Sequence, residues 1–238
     1  MRSFWLALVL AASVALAVPF AVGAISMDIE AKGAGGLALG STSNPNETGS
    51  PRAAFAGGIG VDVFLVTVGP VDLGVSVGAE YDSLSNHGVL NNFESAMVGP
   101  GITQTTDNTY NYLQFPISLV GRFPLAQSLA LTLRAGAFIG HFVGGSSSAS
   151  YNSNPGGIFP TSITLDSSNT LVGEYGLHFT GGVDIALGGN FSLSPAVQFD
   201  MGLTNIQATD PTGAPGAYPY SDTFWSVTAT IGIKYNVF

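Results

Sequence analysis

The sequence predicts an all-β protein: a transmembrane up-and-down antiparallel β-barrel of eight strands, preceded by an N-terminal signal peptide. Three observations predict it. Eight stretches alternate apolar and polar residues, the segments between them alternate short and long, and only 9% of the 238 residues are charged. A strand turns successive side chains to opposite faces, so such stretches build a sheet with one oily and one mixed face. Soluble domains carry roughly 25% charged residues, so the oily face meets something other than water. In a closed antiparallel sheet of this kind it is the outside.

Residues 1–24 have the pattern of an export signal. Arg2 supplies the positive start, Phe4 to Val18 the apolar stretch, and Val22-Gly23-Ala24 a small-residue exit, which predicts cleavage after Ala24. The alternative is an uncleaved membrane helix over Phe4 to Ile25, which Pro19 disfavours. No later run is continuously apolar for that length, so residues 25–238 form a single domain that enters a membrane only through strands.

The predicted strands cover 25–40, 54–69, 71–82, 111–123, 129–143, 172–187, 191–204 and 223–237. The clearest is 191–204, where Phe191, Leu193, Pro195, Val197, Phe199, Met201 and Leu203 share one face and Ser192, Ser194, Gln198 and Asp200 lie on the other. Residues 223–237 repeat this with Trp225, Val227, Ile231, Ile233 and Tyr235 against Ser226, Thr228, Thr230 and Lys234. Gly69-Pro70, Pro124 to Ser128 and Gly188 to Asn190 are short turns. Long segments rich in Ser, Asn, Gly and Pro centre on 41–53, 83–110, 144–171 and 205–222. Short turns at one end and long loops at the other are the arrangement of an outer-membrane barrel with both termini in the periplasm and four extracellular loops.

Charge placement sets the register. Of the basic residues beyond the signal, only Arg52 falls in a long loop; Lys32, Arg122, Arg134 and Lys234 lie on strands opposite the oily face. So do Asp28, Glu30, Asp62, Glu80, Asp82, Glu174, His178, Asp184 and Asp200. An Arg or Lys facing lipid at mid-depth costs roughly 2–4 kcal/mol, so these side chains point into the lumen. Phe55, Tyr81, Tyr175 and Trp225 at one level, and Phe123, Phe191 and Tyr235 at the other, form two aromatic girdles on the outer face.

Several classes of function are excluded. A formal charge of −9 opposes nucleic-acid binding, and the absence of cysteine excludes a disulfide scaffold, a thiolate metal site and a cysteine-linked lipid anchor. No cofactor is expected.

The segment Tyr112-Leu113-Gln114-Phe115-Pro116-Ile117 resembles a Y-L-x-I-P pattern in the fourth strand of small bacterial outer-membrane barrels. Gly202-Leu203-Thr204-Asn205-Ile206 resembles their G-L-x-N-I exit from strand to loop. On these motifs, in this order, residues 25–238 resemble the outer membrane protein beta-barrel domain family, of the eight-stranded OmpA/OmpX-like kind. The ending Gly232 to Phe238 resembles the assembly signal that the barrel-insertion machinery reads, with Tyr235 and Phe238 its aromatic residues. Phe238 departs from the usual pattern because it falls out of register with the outward Ile233, Tyr235 and Val237. The resemblance implies fold and location, not an activity.

Eight strands enclose just enough room for their own side chains. Counting up from the short-turn end puts Lys32, Asp62 and Lys234 at similar low heights, with Glu30 beside them, and pairs Arg134 with Asp184. Together these six residues are expected to form a salt-bridged plug, because an unpaired buried charge costs several kcal/mol. Higher up, Glu80, Asp82, Glu174, His178 and Asp200 have no basic neighbour by that count and form an acidic mouth. Such a mouth favours cations, although no metal site is assigned to it.

The best candidate for catalysis is His141, followed by Ser146 and Ser147, but its spacing departs from the His-x-Ser pattern of lipid-deacylating barrels. No acid aligns outward with it, so it reads as an interfacial histidine and the protein as no enzyme. His87 lies in a long loop without evident partners. The loops interleave Tyr110, Tyr151, Phe159, Tyr218 and Tyr220 with Ser, Gly and Asn, a mixture suited to an extracellular ligand. The expected role is structural or interactive, with outer-membrane lipids and the insertion machinery as partners. The alternative is a narrow porin-like channel for small solutes or cations.

Overall fold

The computed structural model describes residues 25–42, 47–95, 99–152, 162–165, 174–204 and 222–238; the expected signal peptide lies outside them. Its strands are β1 (Ser26–Thr42), β2 (Glu47–Val68), β3 (Val71–Ser95), β4 (Gly99–Ala126), β5 (Leu129–Tyr151), β6 (Ser162–Leu165), β7 (Glu174–Gly188), β8 (Phe191–Gly202) and β9 (Asp222–Asn236). All neighbours are antiparallel. The order β4-β3-β2-β1-β9-β8-β7-β5 is closed by β4 on β5, so eight strands make a ring, and the short β6 pairs only with β5. Closure leaves no free edge around the wall, the condition for burying backbone amides in lipid.

The turns at one end are tight. Gly69 (φ 61°) opens the reversal from β2 to β3, and Gly188 (φ 110°) and Gly189 (φ 58°) carry that from β7 to β8. A residue with a Cβ is strained at such angles, which is why glycine occupies them.

The faces separate as the alternation predicts. Ile59, Leu119, Val197 and Ile231 are exposed on the outside, while Asp62, Glu80, Glu174 and Lys234 are buried inside. On the outer girdle level Phe55, Tyr81 and Tyr175 are exposed; on the turn level Phe191 and Tyr235 are exposed and their rings meet at a tilt of 55°, centroids 5.1 Å apart.

The long connections differ from expectation. Residues 83–110 were expected as a loop, yet β3 and β4 continue as one ladder to Ser95 opposite Gly99. Residues 47–53 belong to β2. Within 144–171, residues 144–151 extend β5, and 162–165 form β6 against 145–148. A strand crosses a bilayer in about 9–11 residues, whereas β3 has 25 and β4 has 28. The outer face turns polar beyond the girdle, so the oily exterior ends there although the hydrogen bonding does not. Tyr110 and Tyr151, expected in loops, are strand residues, and Tyr110 is buried. Phe159, Tyr218, Tyr220 and the segment 205–221 lie outside the described residues.

Candidate functional site: the lumen and the outer rim

Ionic side chains from all eight wall strands meet inside the barrel. Nearest the tight turns, Arg122 on β4 donates to Asp72 on β3 (3.0 Å) and Asp28 on β1 (3.1 Å), and its guanidinium lies 4.1 Å over the Phe64 ring of β2. Further in, Arg134 on β5 donates from Nε and Nη2 to the two oxygens of Asp62 (3.1 and 2.7 Å) and from Nη2 to Glu30 (2.7 Å). Lys234 on β9 donates to both oxygens of Asp184 (2.8 and 2.9 Å), and Asp62 lies 3.8 Å away. Thr132 and Ser194 also donate to Asp184. This saturation of charge-assisted hydrogen bonds is what makes buried ions tolerable.

Two expected pairings are corrected. Lys32 does not meet Asp62, because β1 and β2 pair Lys32 with Gly58 and Asp28 with Asp62. Arg134 does not meet Asp184, because the β5–β7 register sets Arg134 opposite Thr180 and Ala130 opposite Asp184. Barrel shear offsets neighbouring strands, so equal residue counts along them are not equal heights.

The acidic group is also corrected. Lys32 reaches Glu80 (2.7 Å), so a basic neighbour is present. Gln198, which the sequence reading missed, is the hub: it accepts from Lys32 (2.8 Å) and donates to Asp200 (2.7 Å) and Glu80 (3.2 Å). Asp200 in turn bonds His178 Nδ1 (2.6 Å), whose Nε2 meets Thr180 Oγ1 (3.0 Å). One oxygen of Asp82, one of Glu174 and the Tyr112 hydroxyl are buried without a hydrogen-bond partner. Among the described residues no group of three or more His, Asp or Glu is placed to hold a metal ion.

Nor is the acidic group at the mouth. Beyond it stands an apolar layer of Ala38, Ala54, Leu84, Tyr110, Tyr112, Phe142 and Phe224, all at most 7% exposed. Tyr110 and Phe224 meet edge to face at 5.0 Å, and Tyr112 and Phe142 at 5.5 Å. A small pocket of about 10 Å³ lies between the layers, lined by residues that include Glu174, Asp200, Phe138 and Phe224. A cavity of about 280 Å³ opens at the turn end, lined by Asp28, Arg122, Asp184, Lys234 and Asn236. Parity carried a signal for the apolar layer, since Tyr110 and Tyr112 share the inward positions of Gln114 and Ser118.

On the outer rim, His87 is not the partnerless loop residue expected. It sits on β3 with Nδ1 2.7 Å from Asp107 of β4, and Arg52 of β2 approaches both, at 3.0 and 3.2 Å. The bonded His87 ring first, and Arg52 beside it, hold the Asp107 carboxyl below its usual range. His141 is exposed on the outer wall opposite Leu113. β9 ends at Asn236, so Phe238 escapes the inward position that strict alternation assigns it and is exposed, its carbonyl accepting from Met27 N–H.

A hydrogen-bonded ring with an oily exterior and an ionic interior defines a transmembrane up-and-down β-barrel. No family model and no curated protein matches the chain. Among solved structures it is similar to a major outer membrane protein of Thermus thermophilus (15% identity, 90% of this chain and 100% of that one, TM-score 0.44). It is also similar to Neisserial surface protein A (11%, 90% and 99%, 0.42) and to OprG of Pseudomonas aeruginosa (12%, 89% and 95%, 0.37). At such identities and overlaps the fold rests on this chain's own ladder pattern rather than on theirs.

Proposed function

We propose that the protein is a non-enzymatic integral outer-membrane barrel with a closed lumen, acting as a structural or surface-interaction element. In this reading residues 1–24 are cleaved on export and both termini are periplasmic. The loops and strand extensions face outward, where an extracellular ligand is met, and the final strand, through Tyr235 and Phe238, engages the insertion machinery. The observation that carries it is the pair of stacked layers in the lumen, an ionic one centred on Arg134 and Asp62 and an apolar one centred on Tyr112 and Phe142. Two layers of different chemistry support closure to ions and to apolar solutes alike. The test is conductance of the protein in a planar bilayer after a heat-sensitive gel shift confirms folding. A silent barrel is expected, and steady single-channel steps would overturn the closed lumen.

The second reading is a narrow channel. It is favoured by the cavity of about 280 Å³ at the turn end, which carries solvent part of the way in. Conduction would then require the Tyr112–Phe142 layer to move, so Phe142→Ala conducting while the natural protein is silent would point to a gated pore.

A further inference from the structure

The wall changes character on its outer face just beyond the girdle. Along β4, outward Leu119, Ile117, Phe115 and Leu113 are exposed hydrophobes; the outward positions that follow are Asn111, Thr109, Asp107 and Thr105. Along β3, exposed Tyr81 is followed outward by Ser83, Ser85 and His87. The inner face changes the opposite way, from Glu80 and Asp82 to buried Leu84 and from Gln114 to buried Tyr112 and Tyr110.

Two bulges at this level maintain the outward hydroxyls. In β5, Phe142 pairs with Tyr112 and Gly144 with Asn111, leaving Val143 as the extra residue, and Gly144 takes φ 150°. The bulge resets the alternation so that Ser146, Ser148 and Ser150 stand opposite Thr109, Asp107 and Thr105. Without it, Gly145, Ser147 and Ala149 would hold those outward positions. In β2, the shift between Pro51 and Ala54 likewise sets Ser50 opposite His87. Water accepts either register, so it gives no reason to interrupt two strands at one height.

The charges on this face neutralise each other, since Arg52, His87 and Asp107 are bonded together. No cation is left over for a phosphate among the described residues of this face. The face continues directly from the lipid-facing wall, at the level where headgroups replace acyl chains.

We infer that the outward hydroxyl face of β3, β4 and β5 above the girdle docks uncharged sugar headgroups of lipids in the surrounding leaflet. The inference rests on the membrane placement proposed above. Ser85 and Thr109, 3.4 Å apart across the β3–β4 pair, and exposed Ser146 and Ser148 supply both donors and acceptors, as sugar hydroxyls require.

The test uses the protein in phosphatidylcholine nanodiscs doped with either galactosyl diacylglycerol or phosphatidylglycerol, with retained lipids counted by native mass spectrometry. The expected result is about tenfold enrichment of the galactolipid, the preference that one to two net hydrogen bonds provide. It should persist in Arg52→Gln, fall in Ser148→Ala, and vanish when Ser85→Ala, Thr109→Val, Ser146→Ala and Ser148→Ala are combined. Equal retention of all lipids by an inserted protein would overturn this inference alone, as would enrichment of phosphatidylglycerol that Arg52→Gln abolishes. Failure to insert would overturn the membrane placement and this inference with it.

Discussion

Arg134 grips both oxygens of Asp62 across the lumen and reaches Glu30 with the same Nη2, joining β5 to β2 and β1 through one guanidinium. Arg134→Ala leaves two buried carboxylates without this partner, and breaking a buried ion pair from one side costs about 3–5 kcal/mol. The unfolding midpoint in detergent should fall accordingly. Replacing both ends with apolar groups, Arg134→Met with Asp62→Leu, should recover part of the loss. A single variant as stable as the natural protein would show that the pair holds nothing in place.

Lys234→Ala tests the seam where the first and last strands close. Lys234 pairs with Glu30 in the β1–β9 register while its amine binds Asp184 of β7. Its removal strands Asp184 with only the Thr132 and Ser194 hydroxyls. The loss should again be about 3–5 kcal/mol, read as a lower gel-shift temperature.

Tyr112→Phe and Phe142→Ala separate packing from polarity in the apolar layer. The Tyr112 hydroxyl is buried and unpartnered, so its removal should be neutral or stabilising. Phe142 is 2% exposed and packs against the Tyr112 ring, and its truncation should cost about 3–5 kcal/mol through the cavity left behind. Denaturation of the two variants side by side checks the contrast, and a larger loss in Tyr112→Phe would refute it.

Much of the barrel was legible because lipid imposes a one-sided pattern: Phe191 to Leu203 and Trp225 to Tyr235 show it, and their inward neighbours follow by parity. What escaped was of three kinds. Partner choice in the lumen depends on strand stagger, which no single strand encodes, so Lys32 was assigned to Asp62 rather than Glu80. Residues 83–95 and 99–110 pair as strands without an oily outer face, so backbone hydrogen bonds hold a ladder that the outward hydropathy does not mark. Inward aromatics such as Phe142 were also lost, since an apolar residue on an otherwise polar face reads as noise until its neighbours across the lumen are known.

Gly176→Ala tests a close approach inside the wall. The Phe138 ring of β5 lies directly over Gly176 of β7, and a Cβ there would collide with the ring and with the Met201 carbonyl. Overpacking of this kind typically costs about 1–3 kcal/mol. Gly33→Ala, at a position with open space around it, is the matched control and should change little. Equal midpoints for the two variants would show that the ring is free to move aside.

The Arg52–His87–Asp107 cluster links the strand extensions beyond the girdle to pH, with a sign that follows from Asp107. Its carboxyl is held below the ordinary value of 3.8, mainly by the His87 hydrogen bond. A group whose folded pKa is depressed contributes stability that is present above the unfolded value and is lost as pH falls through the folded one. The β3–β4 extension should therefore be fully ordered at neutral pH and begin to loosen only below about pH 4. Because the Asp107 side chain is 57% exposed, the effect should be small and weakened by salt. Amide hydrogen exchange over residues 85–90 and 104–109, compared between the natural protein and Asp107→Asn, reads it directly. The two should differ at pH 7 and converge at pH 3; a difference that grows toward pH 3 would reverse the sign and remove the cluster as the cause.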